Sequence, residues 1–142
     1  MAKGGQKPEN FQKKEDYIML YPLFFHPIYK ERIWGGRKLA EKYRRELPGE
    51  KIGESWEIAC HSNGMGIVRN GPLNGFSLRD AIEKYGEELL GSAVYHNGYR
   101  KFPLLIKILD ASDVLSVQVH PGDEYANIHE NGELGKTEMW YV

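Results

Sequence analysis

Apolar and polar positions alternate with a period that changes along the chain. From Tyr21 the stretch YPLFFHPIYKERIWGG mixes aromatic residues, prolines and a glycine pair, a pattern of short extended pieces separated by turns. Leu39 to Arg45 is predicted as a short helix ahead of the Pro48-Gly49 turn, and GESWEIA (Gly53 to Ala59) as a strand. Strand alternation puts Ser55, Glu57 and Ala59 on one face and Glu54, Trp56 and Ile58 on the other. The clearest helix runs from Leu78 to Leu90. Ser77 is an N-cap with Asp80 three residues on, Leu78, Ala81, Ile82, Tyr85 and Leu89 recur at helical spacing, and Gly91 supplies a stop.

Beyond that helix the period falls to two. FPLLIKILDA (Phe102 to Ala111), LSVQVHP (Leu115 to Pro121) and KTEMWYV (Lys136 to Val142) are predicted as strands, the last two separated by a Gly-containing acidic loop. No internal repeat or low-complexity tract interrupts them. Helices early and closely spaced strands late predict an α+β fold, mainly β, with a β-barrel or jelly roll towards the C-terminal side.

Composition narrows the function classes. At 142 residues with 41% hydrophobic and 27% charged residues, the chain has the make-up of a globular domain. Lys+Arg 19 against Asp+Glu 20 leaves no global basic field for a nucleic-acid backbone or an anionic membrane, so any anionic ligand must be met by local charges. The uncharged stretch Ile18 to Ile28 carries Pro22 and Pro27 and is short of the roughly 20 apolar residues of a membrane span. The single Cys60 cannot form an internal disulfide, which suits a reducing cytoplasm, and it reads as a core residue. Residues 1–20 are polar and Lys-rich without the apolar core of a secretory signal, and are expected to be a disordered extension; the folded domain is expected over 21–142.

In LSVQVHP, Ser116, Gln118 and His120 share one face, backed by Leu115, Val117 and Val119. His120 is the natural metal ligand or general base among them, because imidazole binds borderline metals and titrates near neutrality. In KTEMWYV, Lys136, Glu138 and Trp140 share a face, so Glu138 could meet His120 at one metal with Lys136 beside an anionic group. A satisfied polar pair is the equal alternative on pattern alone. Lys107 interrupts the apolar run Leu104 to Leu109 and must reach solvent, pair with a carboxylate or meet a ligand anion; reaching solvent is the default. His26, His61, His96 and His129 are read as turn or solvated residues, and Trp34 and Trp56 as core anchors.

Five ordered motifs, RIWGG (Arg32 to Gly36), GESWEIA, FPLLIKILDA, LSVQVHP and GKTEMWYV (Gly135 to Val142), together resemble type I mannose-6-phosphate isomerases (phosphomannose isomerases), the shorter bacterial members most closely. The resemblance starts near Tyr21 and reaches the last residue. It implies a cupin-type jelly-roll barrel, incomplete at the C-terminus, and zinc-dependent interconversion of mannose 6-phosphate and fructose 6-phosphate through a cis-enediol. It implies one zinc ion per site, with Gln118, His120 and Glu138 as ligands, Lys107 and Ser116 at the substrate phosphate, and Lys136 as an active-site lysine. The family's second histidine ligand and catalytic arginine are implied to fall beyond Val142, so a complementary C-terminal segment is an expected partner. Two rival readings remain: a non-catalytic cupin fragment that binds zinc or a hexose 6-phosphate, and an iron oxygenase of the two-histidine-one-carboxylate kind, for which only His120 is in place.

Overall fold

The computed structural model describes residues 19–97 and 102–142; most of the predicted extension, residues 1–18, lies outside the described residues. The elements in chain order are β1 (Ile28–Gly36), α1 (Lys38–Tyr43), β2 (Ile52–Ile58), β3 (Cys60–His61), β4 (Gly64–Met65), a 3-10 turn (Gly71–Leu73), α2 (Leu78–Tyr85), α3 (Glu87–Leu90), α4 (Ser92–His96), β5 (Ile106–Leu109) and α5 (Asp123–His129). One sheet has the order β1-β2-β5 and a second pairs β3 with β4. No barrel closes among the described residues. The chain divides into two compact units, Met1–Lys30 with Glu54–Leu109, and Glu31–Gly53 with Asp110–Val142.

The first unit holds two apolar clusters, and Trp34, Leu39 and Ile52 are buried in the second unit. Cys60, Leu78 and Ile82 form one buried cluster, and Val68, Leu73 and Tyr85 a second, with Phe25 and Leu89 packed against both. Cys60 is thus a core residue, 5% exposed. Tyr21 ties the start of this unit down. Its hydroxyl donates to Asn70 O and accepts from Leu73 N, both at 2.8 Å. In the antiparallel pair of β2 with β5, Trp56 lies opposite Lys107 and Glu54 opposite Leu109.

The predicted helix from Leu78 to Leu90 is broken. Ser77 and Asp80 form the expected capping box, but α2 ends at Tyr85 because Gly86 takes φ 47°, and α3 starts afresh at Glu87. The apolar period runs straight through this break, since Leu89 still packs on the same core. The helix predicted at Leu39 to Arg45 forms as α1 and stops at Arg44, which is left-handed at φ 53°.

In the second unit Asp110 is the organising residue. It is 3% exposed, its backbone N–H donates to Gly53 O at 2.9 Å, its carbonyl accepts from Gly36 N at 3.1 Å, and its Oδ2 accepts from Leu39 N at 3.1 Å. Gly36 is needed there, because a β-carbon would stand 2.4 Å from Asp110 Oδ1. Ser112 adds bonds from its hydroxyl to Trp34 O and Gly35 O.

The three late strands form only in part. Of FPLLIKILDA, Ile106–Leu109 is strand, with a further bridge from Ala111 to Gly35. LSVQVHP and KTEMWYV are not strands: one backbone bond, Lys136 N to Pro121 O at 3.0 Å, links them, and no ladder forms. A strand exists only where a neighbour takes up its backbone donors and acceptors, and among the described residues neither segment has such a neighbour.

Candidate active site

The two segments nonetheless bring their polar side chains together, and the local reason is the loop between them. From Pro121 the chain enters α5 at Gly122, leaves it through Asn131 at φ 55° and Gly132 at φ 79°, and returns to its starting point at Gly135. Gly135 N donates to Asp123 Oδ1 at 2.7 Å, and the next residue donates to Pro121 O. A β-carbon on Gly135 would lie 2.6 Å from Asp123 N and 2.8 Å from Pro121 O, so the base of the loop closes only on glycine.

Above that base sits a connected polar cluster, all within the second unit. His120 Nε2 is 2.7 Å from Glu138 Oε2, and Trp140 Nε1 donates to the same oxygen at 3.2 Å. Lys136 Nζ is 3.3 Å from Glu138 Oε1 and donates to Gln118 Oε1 at 3.0 Å. Lys136, Glu138 and Trp140 therefore do share a face, and Gln118 and His120 meet it. The His120 hydrogen bond first, then those from Trp140 and Lys136, hold the Glu138 carboxyl down at about 2 from its ordinary 4.5, against the opposing pull of burial. Ser116 is exposed and, among the described residues, makes no hydrogen bond to this cluster. The apolar partners of the alternation face outward: Val117 is 98% exposed, Val119 93%, Met139 93% and Tyr141 99%.

As a donor set the cluster offers one imidazole, one carboxylate and one amide oxygen, chemistry that suits a borderline divalent ion with an open position. No group of three or more His, Cys, Asp and Glu side chains gathers among the described residues. Gln118 is the third donor in place of such a side chain.

Lys107 belongs to the first unit and does not simply reach solvent. Its Nζ lies 3.6 Å from Oε1 of Glu54, with 21% of the lysine side chain and 7% of the glutamate side chain exposed. The other glutamate oxygen accepts from Trp56 Nε1 at 2.8 Å. Trp56 in turn lies under Lys30 Nζ, 4.6 Å from the ring centroid, and Lys30 donates to Asn63 O at 2.7 Å. Glu54 was the residue the strand pattern passed over. Its place on the same face of GESWEIA as Trp56 was the available signal.

A family model, phosphomannose isomerase type I, catalytic domain, matches residues 23–137. The chain belongs to the type I phosphomannose isomerase family. Among curated relatives of this family, it is 55% identical over 121 residues to mannose-6-phosphate isomerase ManA of Bacillus subtilis, covering 85% of this chain and 36% of that protein. It is 46% identical over 124 residues to mannose-6-phosphate isomerase of Streptococcus mutans, covering 87% and 37%. The crystal structure of the Bacillus subtilis mannose 6-phosphate isomerase superposes with a TM-score of 0.71 at 39% identity, over 80% of this chain and 35% of that one. A crystal structure of mannose 6-phosphate isomerase bound with zinc and yttrium superposes at 0.61, with 32% identity, over 75% and 26%. This chain therefore spans little more than a third of the length of the curated phosphomannose isomerases it matches first. Its fold is that of the corresponding part of their cupin domain. No helix among the described residues is long and apolar enough to cross a membrane.

Proposed function

We propose that this chain carries the first part of the active site of a mannose-6-phosphate isomerase, which interconverts mannose 6-phosphate and fructose 6-phosphate in the cytoplasm. The observation that carries the reading is the cluster of His120, Glu138, Gln118 and Lys136, assembled from two family motifs 18 residues apart in step. His120, Glu138 and Gln118 would hold zinc, an ion found bound in the crystal structure of a related mannose 6-phosphate isomerase. Bound there, zinc supplies Lewis acidity that steadies the negative charge developing on the sugar oxygens during aldose-ketose isomerisation through a cis-enediol. Lys136, already 3.3 Å from Glu138, contributes a second positive charge at the reacting end of the sugar. Lys107 and Ser116 bind the phosphate, fixing the substrate remotely so that C1 and C2 are oriented.

The chain covers 36% of the length of its Bacillus subtilis relative ManA, and a complementary C-terminal segment is the partner proposed for turnover. The test is zinc content and mannose 6-phosphate turnover on the purified chain, on His120→Ala, and on both after adding the C-terminal segment of a relative. Zinc bound by the unaltered chain and lost in His120→Ala, with turnover recovered only when the segment is added to the unaltered chain, is the expected outcome. Zinc binding without recovered turnover would instead leave a binding domain for zinc or a hexose 6-phosphate.

A further inference from the structure

Beside the cluster of His120, Glu138, Gln118 and Lys136, the Trp140 indole holds a carboxylate oxygen while carrying no charge and offering no metal-binding atom. We propose that Trp140 is a positioning residue for the metal: its N–H fixes the orientation in which Glu138 presents Oε2 beside His120 Nε2, and so raises the affinity of the site for a divalent ion. The proposal rests on the reading of His120, Glu138 and Gln118 as metal ligands.

Glu138 and Trp140 are two residues apart in KTEMWYV, on the face that also carries Lys136, and the indole Nε1 donates to Oε2 at 3.2 Å. The same oxygen is turned to the imidazole, 2.7 Å from His120 Nε2. The other oxygen, Oε1, lies 3.3 Å from Lys136 Nζ. The carboxylate is thereby turned so that Oε2 stands next to the imidazole nitrogen an ion would use. A carboxylate oxygen accepts on more than one side, so the indole can stay on Oε2 while the side facing His120 passes from a proton to a cation.

Lys136 also holds the carboxylate, but its ammonium repels an incoming cation, which offsets the orientation it provides. The indole N–H steadies the same group without that penalty. A glutamate side chain gives up considerable rotamer freedom on being fixed, and one already held by a hydrogen bond has less left to lose when it takes an ion. Hydrogen-bond partners of metal ligands are worth about 10–100-fold in metal affinity. Trp140 is 54% exposed and stands outside the buried core, so what its replacement removes is the bond to Glu138 rather than core packing.

The experiment measures zinc affinity by competition with a chromophoric chelator, and the visible spectrum at saturating cobalt(II), for the 142-residue chain unaltered and as Trp140→Phe and His120→Ala. Phe keeps an aromatic ring and removes only the donor. Trp140→Phe is expected to bind zinc at least about tenfold more weakly, and its cobalt absorption bands should differ from those of the unaltered chain. A purely structural role for Trp140 would lower the thermal midpoint of the metal-free chain and leave the saturated cobalt spectrum as it was. Zinc affinity that is unchanged in Trp140→Phe, or weaker with an identical cobalt spectrum, overturns the proposal while leaving the metal ligands in place. Zinc that fails to bind the unaltered chain, or binds His120→Ala equally well, overturns the reading of the ligands themselves and the proposal with it. Should Trp140→Phe fail to fold, the Trp140 indole N–H resonance of the unaltered chain decides. A resonance that keeps its hydrogen-bonded position at saturating zinc supports the proposal, and one that moves to the position of a free indole overturns it.

Discussion

His120 Nε2 and Glu138 Oε2 stand 2.7 Å apart across 18 residues of chain, joined through a loop whose base is clamped by Gly135. That single contact is the largest reason the Glu138 carboxyl titrates near 2. In metal-free protein, His120→Ala should therefore move the Glu138 midpoint up towards 4.5, read by carboxyl resonances in a pH titration. The sign follows from the depressed value: the dyad's contribution to stability is fully present above 4.5 and is lost as the pH falls to about 2. A midpoint that stays near 2 in the variant would assign the effect to Lys136 and Trp140.

Gly135→Ala should separate the same pair without touching either partner. The new β-carbon would stand 2.6 Å from Asp123 N, which forces the loop base apart. Overpacking against backbone costs about 1–3 kcal/mol. Chemical denaturation measures that loss, and the contact between the His120 ring and the Glu138 side chain in nuclear Overhauser spectra should disappear with it.

Trp56→Phe should keep an aromatic ring in the core and remove only the indole donor to Glu54 Oε2. Removing one partner of a buried hydrogen bond to a charged group costs about 1–3 kcal/mol. Urea unfolding of the variant against the unaltered chain checks it; a change within error would mean that packing alone fixes Trp56.

Ser77→Ala removes half of the capping box at the start of α2. Loss of such a cap should lower the thermal midpoint by about 4 °C. The Ser77 side-chain hydrogen bond is the first cause holding the Asp80 carboxyl below its ordinary 3.8, so the Asp80 midpoint should rise towards that value in the variant. Because the folded value is the lower one, the contribution is present above pH 3.8 and fades as the pH falls below it.

Local chemistry made much of this legible. The Ser77–Asp80 box, the common face of Glu54 and Trp56 in GESWEIA, and the shared face of Lys136, Glu138 and Trp140 each follow from a period of 3.6 or 2 acting over a few residues. The break of the long helix at Gly86 was not legible, because Leu89 continues the apolar period across it and only the backbone angle betrays it.

The strands expected at Leu115 to Pro121 and Lys136 to Val142 mark the deeper boundary. Sidedness is a property of the sequence, and it holds: polar side chains converge while Val117, Val119, Met139 and Tyr141 face outward. Strand formation is not, because it needs a second backbone at ladder distance, and the described residues provide none.

By itself, then, the sequence determined the family through five ordered motifs, the helix caps, and the side chains that gather at the candidate zinc site, since all of these depend on residue type and short spacing. The tertiary structure alone decided that Lys107 is held by a buried Glu54, that Asp110 ties Gly36, Leu39 and Gly53 together, and that Gly135 closes the loop beneath His120 and Glu138. These are contacts between residues far apart in the chain, and no local period records which distant partner a charge will meet or where two backbones must touch.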